Sequence, residues 1–141
     1  MKISAILATK GMQVVTVRPE QSLREAIALL NTHNIGALVV VESSKPVGII
    51  SERDIVRHIV ERQDLLSLSV ADLMTKNVVT GAPQDDLTAV LQTMTDRRFR
   101  HLPIIDEGKL VGIVSIGDLV KAQLNEYKGE IDTLQTRISK G

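Results

Sequence analysis

Two serine–aspartate pairs are the residues in this chain whose types and spacing could do chemistry. Asp54 follows Ser51 by three positions, and Asp118 follows Ser115 by three. Each pair closes a short phrase: Gly48-Ile49-Ile50-Ser51-Glu52-Arg53-Asp54 first, and Gly112-Ile113-Val114-Ser115-Ile116-Gly117-Asp118 sixty-four positions later. A hydroxyl and a carboxylate at this spacing have two uses. They can cap the start of a helix in a capping box, here with Asp instead of the usual Glu. They can also hold a ribose-phosphate, because the carboxylate accepts hydrogen bonds from sugar hydroxyls while free N–H groups at the helix start face anionic oxygens. The uses are compatible, since a capping serine can also touch a ligand.

A second set of candidates is cationic. Arg97, Arg98, Arg100 and His101 cluster inside a chain whose formal charge is zero. The guanidinium fork suits phosphate. Arg97 and Arg98 would equally suit a solvated helix C-terminus, which welcomes cations. Arg100 and His101 fall at a strand start, where that explanation is weaker, and His101 also fits a satisfied core histidine. The first copy carries His33-Asn34 and Gly36-Ala37 at the matching positions, so the two clefts should not be equivalent. Arg53 gives one cleft a cation where the other has the Ile116-Gly117 region. His33 and His58 complete no metal-binding spacing, and there is no cysteine, so neither a metal site nor a disulfide is expected. No phosphate loop, dinucleotide fingerprint or supported Ser-His-Asp arrangement occurs, and Asp85-Asp86 reads as charge at a helix start. Independent catalysis is not expected.

The elements that must position these residues follow from periodicity. A short amphipathic segment spans 3–9. Val14 to Val17 reads as extended. Ser22, with Glu25, caps a helix in which Leu23, Ala26, Ile27 and Leu30 recur at helical spacing. The helix fails around Asn31 to Asn34. Ile35 to Val41 and Val47 to Ile50 read as strands, and Ser51 opens a helix to about Gln63. The order then returns: an offset of 64 relates residues 14–57 to the second half without a gap, and residues 5–10 match 71–76 at an offset of 66. Two extra residues near Gly11-Met12-Gln13 would account for the difference. This is an internal duplication. Each strand–helix–strand–strand–helix unit has a small core and an exposed sheet face, so pairing the two about a pseudo-two-fold buries both and leaves two related clefts. In the tail, Leu124, Tyr127, Ile131, Leu134 and Ile138 recur in the manner of a heptad stripe. It fits a helix packing on a partner or a solvated end, and Gly129 weakens it.

Composition narrows the classes. The chain has 141 residues and is 43% hydrophobic, with Phe99 and Tyr127 its aromatics. That leaves no stacking platform for single-stranded nucleic acid, and no basic stripe for a duplex. No signal peptide or membrane-length apolar run is present, so a soluble cytoplasmic protein is expected.

The duplicated phrase, its preceding apolar strands and the Arg100-His101-Leu102-Pro103-Ile104-Ile105-Asp106 stretch together resemble the CBS domain family, named after cystathionine β-synthase. The resemblance covers about residues 8–130 and is similar to the small stand-alone tandem pairs called Bateman modules. It implies an α/β (α+β) fold of two βαββα units packed sheet to sheet, with units at 8–66 and 74–130 and a helical tail at 131–141. It implies a regulatory sensor that binds adenosine-containing ligands: AMP, ADP, ATP, NAD(H) or S-adenosylmethionine. It also implies a homodimer and an unidentified protein partner. Carried over by position, Asp54 and Asp118 would contact ribose hydroxyls, and Ser51 and Ser115 ribose or phosphate. Thr16 and Thr80 would line the adenine end, Ile35, Gly36, Ala37 and Phe99 the walls, and Arg97, Arg98, Arg100 and His101 the phosphates. A structural or interaction module without ligand is the alternative.

Overall fold

A computed structural model describes residues 1–11 and 13–140, with side chains to residue 136. The side chain of Ile138 in the tail stripe, and Met12 of the expected insertion, lie outside what is described. The element order is α1 (Ile3–Lys10), β1 (Thr16–Val17), α2 (Leu23–His33), β2 (Ala37–Glu42), β3 (Lys45–Ser51), α3 (Glu52–Ile59), a 3-10 turn (Leu65–Ser67), α4 (Val70–Leu73), α5 (Leu87–Arg97), β4 (His101–Asp106), β5 (Lys109–Ser115) and α6 (Ile116–Lys140). This is a mixed α+β fold with a small sheet in each half. Among the described residues, no helix is long and apolar enough to cross a membrane.

The repeat is visible in the hydrogen bonding. β2 and β3 pair antiparallel, with Ala37 opposite Ser51 and a register shift between Val40 and Val41. β4 and β5 repeat this, with His101 opposite Ser115 and the shift between Ile104 and Ile105. β1 adds a parallel strand to the first sheet, through Thr16–Val39 and Val17–Val40. Its expected counterpart at Val79-Thr80 is not a strand. Only a parallel bridge from Gly81 to Ile104 remains. Glycine stands where the first copy has Val17, and glycine holds a strand poorly. β3 and β5 lie against each other and join the halves.

Helix limits follow local chemistry. Ser22 Oγ accepts the Glu25 N–H and starts α2, which ends at Asn34 in the left-handed conformation, φ 51°. α3 stops at Ile59, short of the expected Gln63, because the following Glu61-Arg62-Gln63-Asp64 offers no apolar face to hold another turn. α6 is one uninterrupted helix from the second phrase through the tail. Leu124, Tyr127, Ile131 and Leu134 are all more than half exposed along it.

The two cores reveal an exchange. The first contains Leu23, Leu30, Leu38, Val40, Ile50 and Ile55, together with Leu65, Val70 and Leu73 from the segment leading into the second copy. The second contains Leu87, Met94, Leu102, Ile104, Val114 and Leu119, together with Ile3, Ile6 and Leu7 from α1. Each copy is therefore completed by the helix that precedes the other. Backbone bonds match: Val70 N–H donates to Gln21 O and Ala71 N–H to Pro19 O, while Ile3 N–H donates to Asp85 O and Ser4 N–H to Pro83 O. These pairs equate Val70 with Ile3 and Ala71 with Ser4, an offset of 67. The offset of 66 read from residue identity is corrected by one. Shared Thr-Lys identities outweighed burial in the sequence comparison, whereas the fold aligns Ile3, Ile6 and Leu7 with Val70, Leu73 and Met74.

Candidate functional site

The phrase glycines serve this exchange. A methyl group on Gly48 would lie 2.6 Å from Met74 Sδ and 3.0 Å from the Thr75 carbonyl oxygen, and one on Gly112 would lie 2.6 Å from Leu7 Cδ2. In both copies glycine gives the arriving helix its seat. Thr75 and Ile49 then exchange backbone hydrogen bonds of 2.8 and 3.0 Å, which lays Asn77 and Val78 beside the first phrase.

Both serine–aspartate pairs are capping boxes. Asp54 Oδ2 accepts the Ser51 N–H at 2.9 Å and the Ser51 hydroxyl at 3.0 Å, while the Asp54 N–H donates to Ser51 Oγ at 3.2 Å. Ser115 N–H donates to Asp118 Oδ2 at 2.8 Å, and Asp118 N–H to Ser115 Oγ at 3.1 Å. Among the described residues, the other carboxylate oxygen of Asp54 takes no hydrogen bond. The cap thus leaves one oxygen available to a diol.

A cleft of about 770 Å³ opens between the first phrase and the end of α5. It brings together Gly36, Ser51 and Asp54 with Arg97, Arg98, Phe99, Arg100 and His101. The second copy's cations therefore face the first copy's phrase. Arg53 and Arg57 of α3 join them, making five arginines around one opening. None of the five is in an ion pair among the described residues. Arg57 was missed in the sequence; its spacing of four from Arg53 puts both on one helix face. Glu52 was missed too. Its Oε1, and Nε2 of His101, stand 3.3 and 3.6 Å from where a Gly36 side chain would begin.

The remaining candidates lie elsewhere. Thr80 borders a smaller cleft of about 250 Å³ with Asp85 and Asp86, and Phe99 lines both openings. Ala37 is buried at the start of β2 and Ile35 packs on the first core. Thr16 is exposed on β1, and it, Ser115 and Asp118 border neither cleft.

Electrostatics separate the two phrases. Lys10, at the end of α1, donates from Nζ to Asp118 Oδ2 and, at 2.7 Å, to the Ile113 carbonyl oxygen. Burial pushes the Asp118 carboxyl upward, but the Lys10 hydrogen bond, the Ser115 N–H, the Lys10 charge and the Ser115 hydroxyl together hold it below the ordinary carboxylate value. His101 sits between the phrases. Burial first, then Lys10, lowers its pKa; Asp118 opposes them, Arg100 adds to the lowering and Glu52 opposes it, and the net direction is down. Counterparts of the cleft arginines Arg53, Arg57, Arg97, Arg98 and Arg100 are Gly117, Lys121, His33, Asn34 and Gly36, so Lys121 is the one fixed cation kept at the matching positions.

A duplicated α+β unit with helices exchanged between copies, and a capped serine–aspartate pair in each, defines a tandem-repeat module. The chain belongs to the CBS domain family, whose model matches residues 3–61 and 70–125. It is 37% identical to the CBS domain-containing protein YhcV of Bacillus subtilis over 90% of this chain and 91% of that one. The CBS-domain protein ATU1752 of Agrobacterium tumefaciens superimposes with a TM-score of 0.83 at 41% identity, covering 87% of this chain and 99% of that one. The CBS pair of protein MJ0100, solved in complex with 5′-methylthioadenosine and S-adenosyl-L-methionine, superimposes with a TM-score of 0.78 at 26% identity, covering 89% and 98%. CBS-pair proteins are regulatory modules.

Proposed function

We propose that the arginine-lined cleft binds an adenosine-containing ligand that carries phosphates (AMP, ADP, ATP or NAD(H)) and that its occupancy changes the placement of the two copies or their assembly. The observation that carries the reading is five arginines, in no ion pair among the described residues, beside an Asp54 carboxylate with one oxygen that takes no hydrogen bond among them. Asp54 suits ribose hydroxyls, Phe99 and Val79 offer apolar walls, and the arginines suit phosphate oxygens through charge-assisted bonds. MJ0100 supports the adenosine part of the reading. The sulfonium cation of S-adenosylmethionine meets like charge in this cleft, so phosphate-bearing nucleotides fit better. A ligand shifts the equilibrium between two placements only by its differential affinity for them.

Isothermal titration with ATP, ADP, AMP, NAD and S-adenosylmethionine tests this. The phosphate-bearing ligands should bind more tightly, with affinity falling as salt rises. Asp54→Asn should weaken them about tenfold, the loss of one charged hydrogen bond of about 1.5 kcal/mol. Absence of binding by all five refutes the reading. The exposed stripe Leu124, Tyr127, Ile131 and Leu134 favours a second reading, an interaction module that pairs with another copy through α6. Sedimentation of a variant with Tyr127 and Ile131 replaced by serine addresses it.

A further inference from the structure

The second phrase keeps the serine–aspartate pair of the first but differs in what reaches its carboxylate. Lys10 Nζ bonds both Asp118 Oδ2 and the Ile113 carbonyl oxygen, and so lies across the mouth of the phrase. The segment leading into the second copy leaves its helix at Leu73, whereas α1 continues to Lys10, so what stands beside the first phrase is the extended stretch through Asn77. Asn77 borders the open cleft and makes no bond to Asp54 among the described residues. The longer α1 thus carries a cation onto the second phrase, and no side chain of the shorter α4 reaches Asp54 among the described residues.

We infer that Lys10 is the residue that closes the second nucleotide position, its ammonium holding the Asp118 carboxylate where a ribose diol would otherwise be accepted. The inference rests on the nucleotide reading of the first cleft. A diol approaching Asp118 has to displace an ammonium that is ion-paired to it and bonded to a backbone carbonyl. At Asp54 the approach meets no such obstacle. The chain therefore takes one nucleotide, although its sequence repeats the binding phrase. The low pKa of Asp118 agrees with a carboxylate already engaged.

The experiment is titration calorimetry with ADP on the full chain and on Lys10→Asn, which removes the ammonium and keeps a polar side chain. The expected stoichiometry is one per chain for the natural protein and two for the variant. Lys10→Arg should stay at one, and Lys10→Asn with Asp118→Asn should return to one. Two sites in the natural protein, or one site in both the natural protein and Lys10→Asn, overturn the role of Lys10 and leave the nucleotide reading standing. No binding to the natural protein with one site in Lys10→Asn supports the closure by Lys10 and overturns the reading of the first cleft. No binding to either protein overturns both. Carbon-detected NMR gives an independent readout: the Asp118 carboxyl should titrate at higher pH in Lys10→Asn, and an unchanged titration also overturns the inference.

Discussion

Gly112→Ala tests the exchange of helices directly. The new methyl carbon would stand 2.6 Å from Leu7 Cδ2 and 3.2 Å from Leu7 Cδ1. Carbon atoms rest comfortably at about 3.5–4.0 Å, so the overlap is roughly 1 Å. Leu7 is 2% exposed and has little room to turn away. Overpacking of this kind costs about 1–3 kcal/mol. Leu7→Ala by itself removes a buried leucine and should cost about 2–5 kcal/mol. In the double variant the shortened residue 7 vacates the volume that the methyl at 112 needs. The pair should therefore be more stable than the sum of the single changes by about 1–2 kcal/mol, within the range seen for touching residues. Urea unfolding followed by far-UV circular dichroism measures all four proteins, with unchanged slopes required for the comparison. Hydrogen exchange adds the location: Leu7→Ala should weaken protection of β4, β5 and α5 before β2 and β3. Additivity within about 0.5 kcal/mol, or loss of protection first in β2 and β3, would refute the direct seating of Leu7 on Gly112.

Two further outcomes are expected. His101 has a folded-state pKa below its ordinary value, so the unfolded chain binds the extra proton first. Stability from this group is present above the unfolded histidine pKa and is lost as pH falls from there through the folded value; His101→Gln should flatten the urea midpoint over that window, and an unchanged slope with pH would count against the assigned environment. Arg98 caps α5 in the left-handed conformation at φ 59°, a region that asparagine tolerates better. Arg98→Asn should raise stability by about 0.5–1 kcal/mol while weakening ADP binding, and a variant that gains neither stability nor loses affinity would remove Arg98 from the cleft.

The duplicated phrase, the capping boxes and the strand pairs were legible because local rules decide them. Ser51 with Asp54 closes its box within four residues of chain. Ser22 Oγ takes the Glu25 N–H as expected, but the Glu25 carboxylate accepts from Gln21 Nε2 and does not complete a box. Aliphatic runs rich in β-branched residues, such as Leu38 to Val41, suit a buried strand. The exchange of α1 and α4 was not legible. Ile3, Ile6 and Leu7 form the same kind of apolar face whether they fold back on the first copy or cross to the second, and periodicity does not name a partner. The fate of the arginines was hidden for the same reason. Arg97, Arg98 and Arg100 neighbour the second phrase in sequence, yet the contact of β3 with β5 turns them toward Ser51 and Asp54. Lys10 carried no signal at all as a site residue, because its partner Asp118 is 108 positions away.

The uninterrupted run of α6 turns the second phrase into the fulcrum of a lever. The helix whose first turn is held by Ser115 and Asp118 continues to Lys140, a rod of about 37 Å at 1.5 Å per residue. A tilt of about 10° at that base would carry the far end through roughly 6 Å if the rod stays straight. Movements too small to disturb the packing around Leu119 would then arrive at Leu134 as displacements of about 5 Å. The apolar stripe rides on the far arm, so what docks there would feel the base amplified.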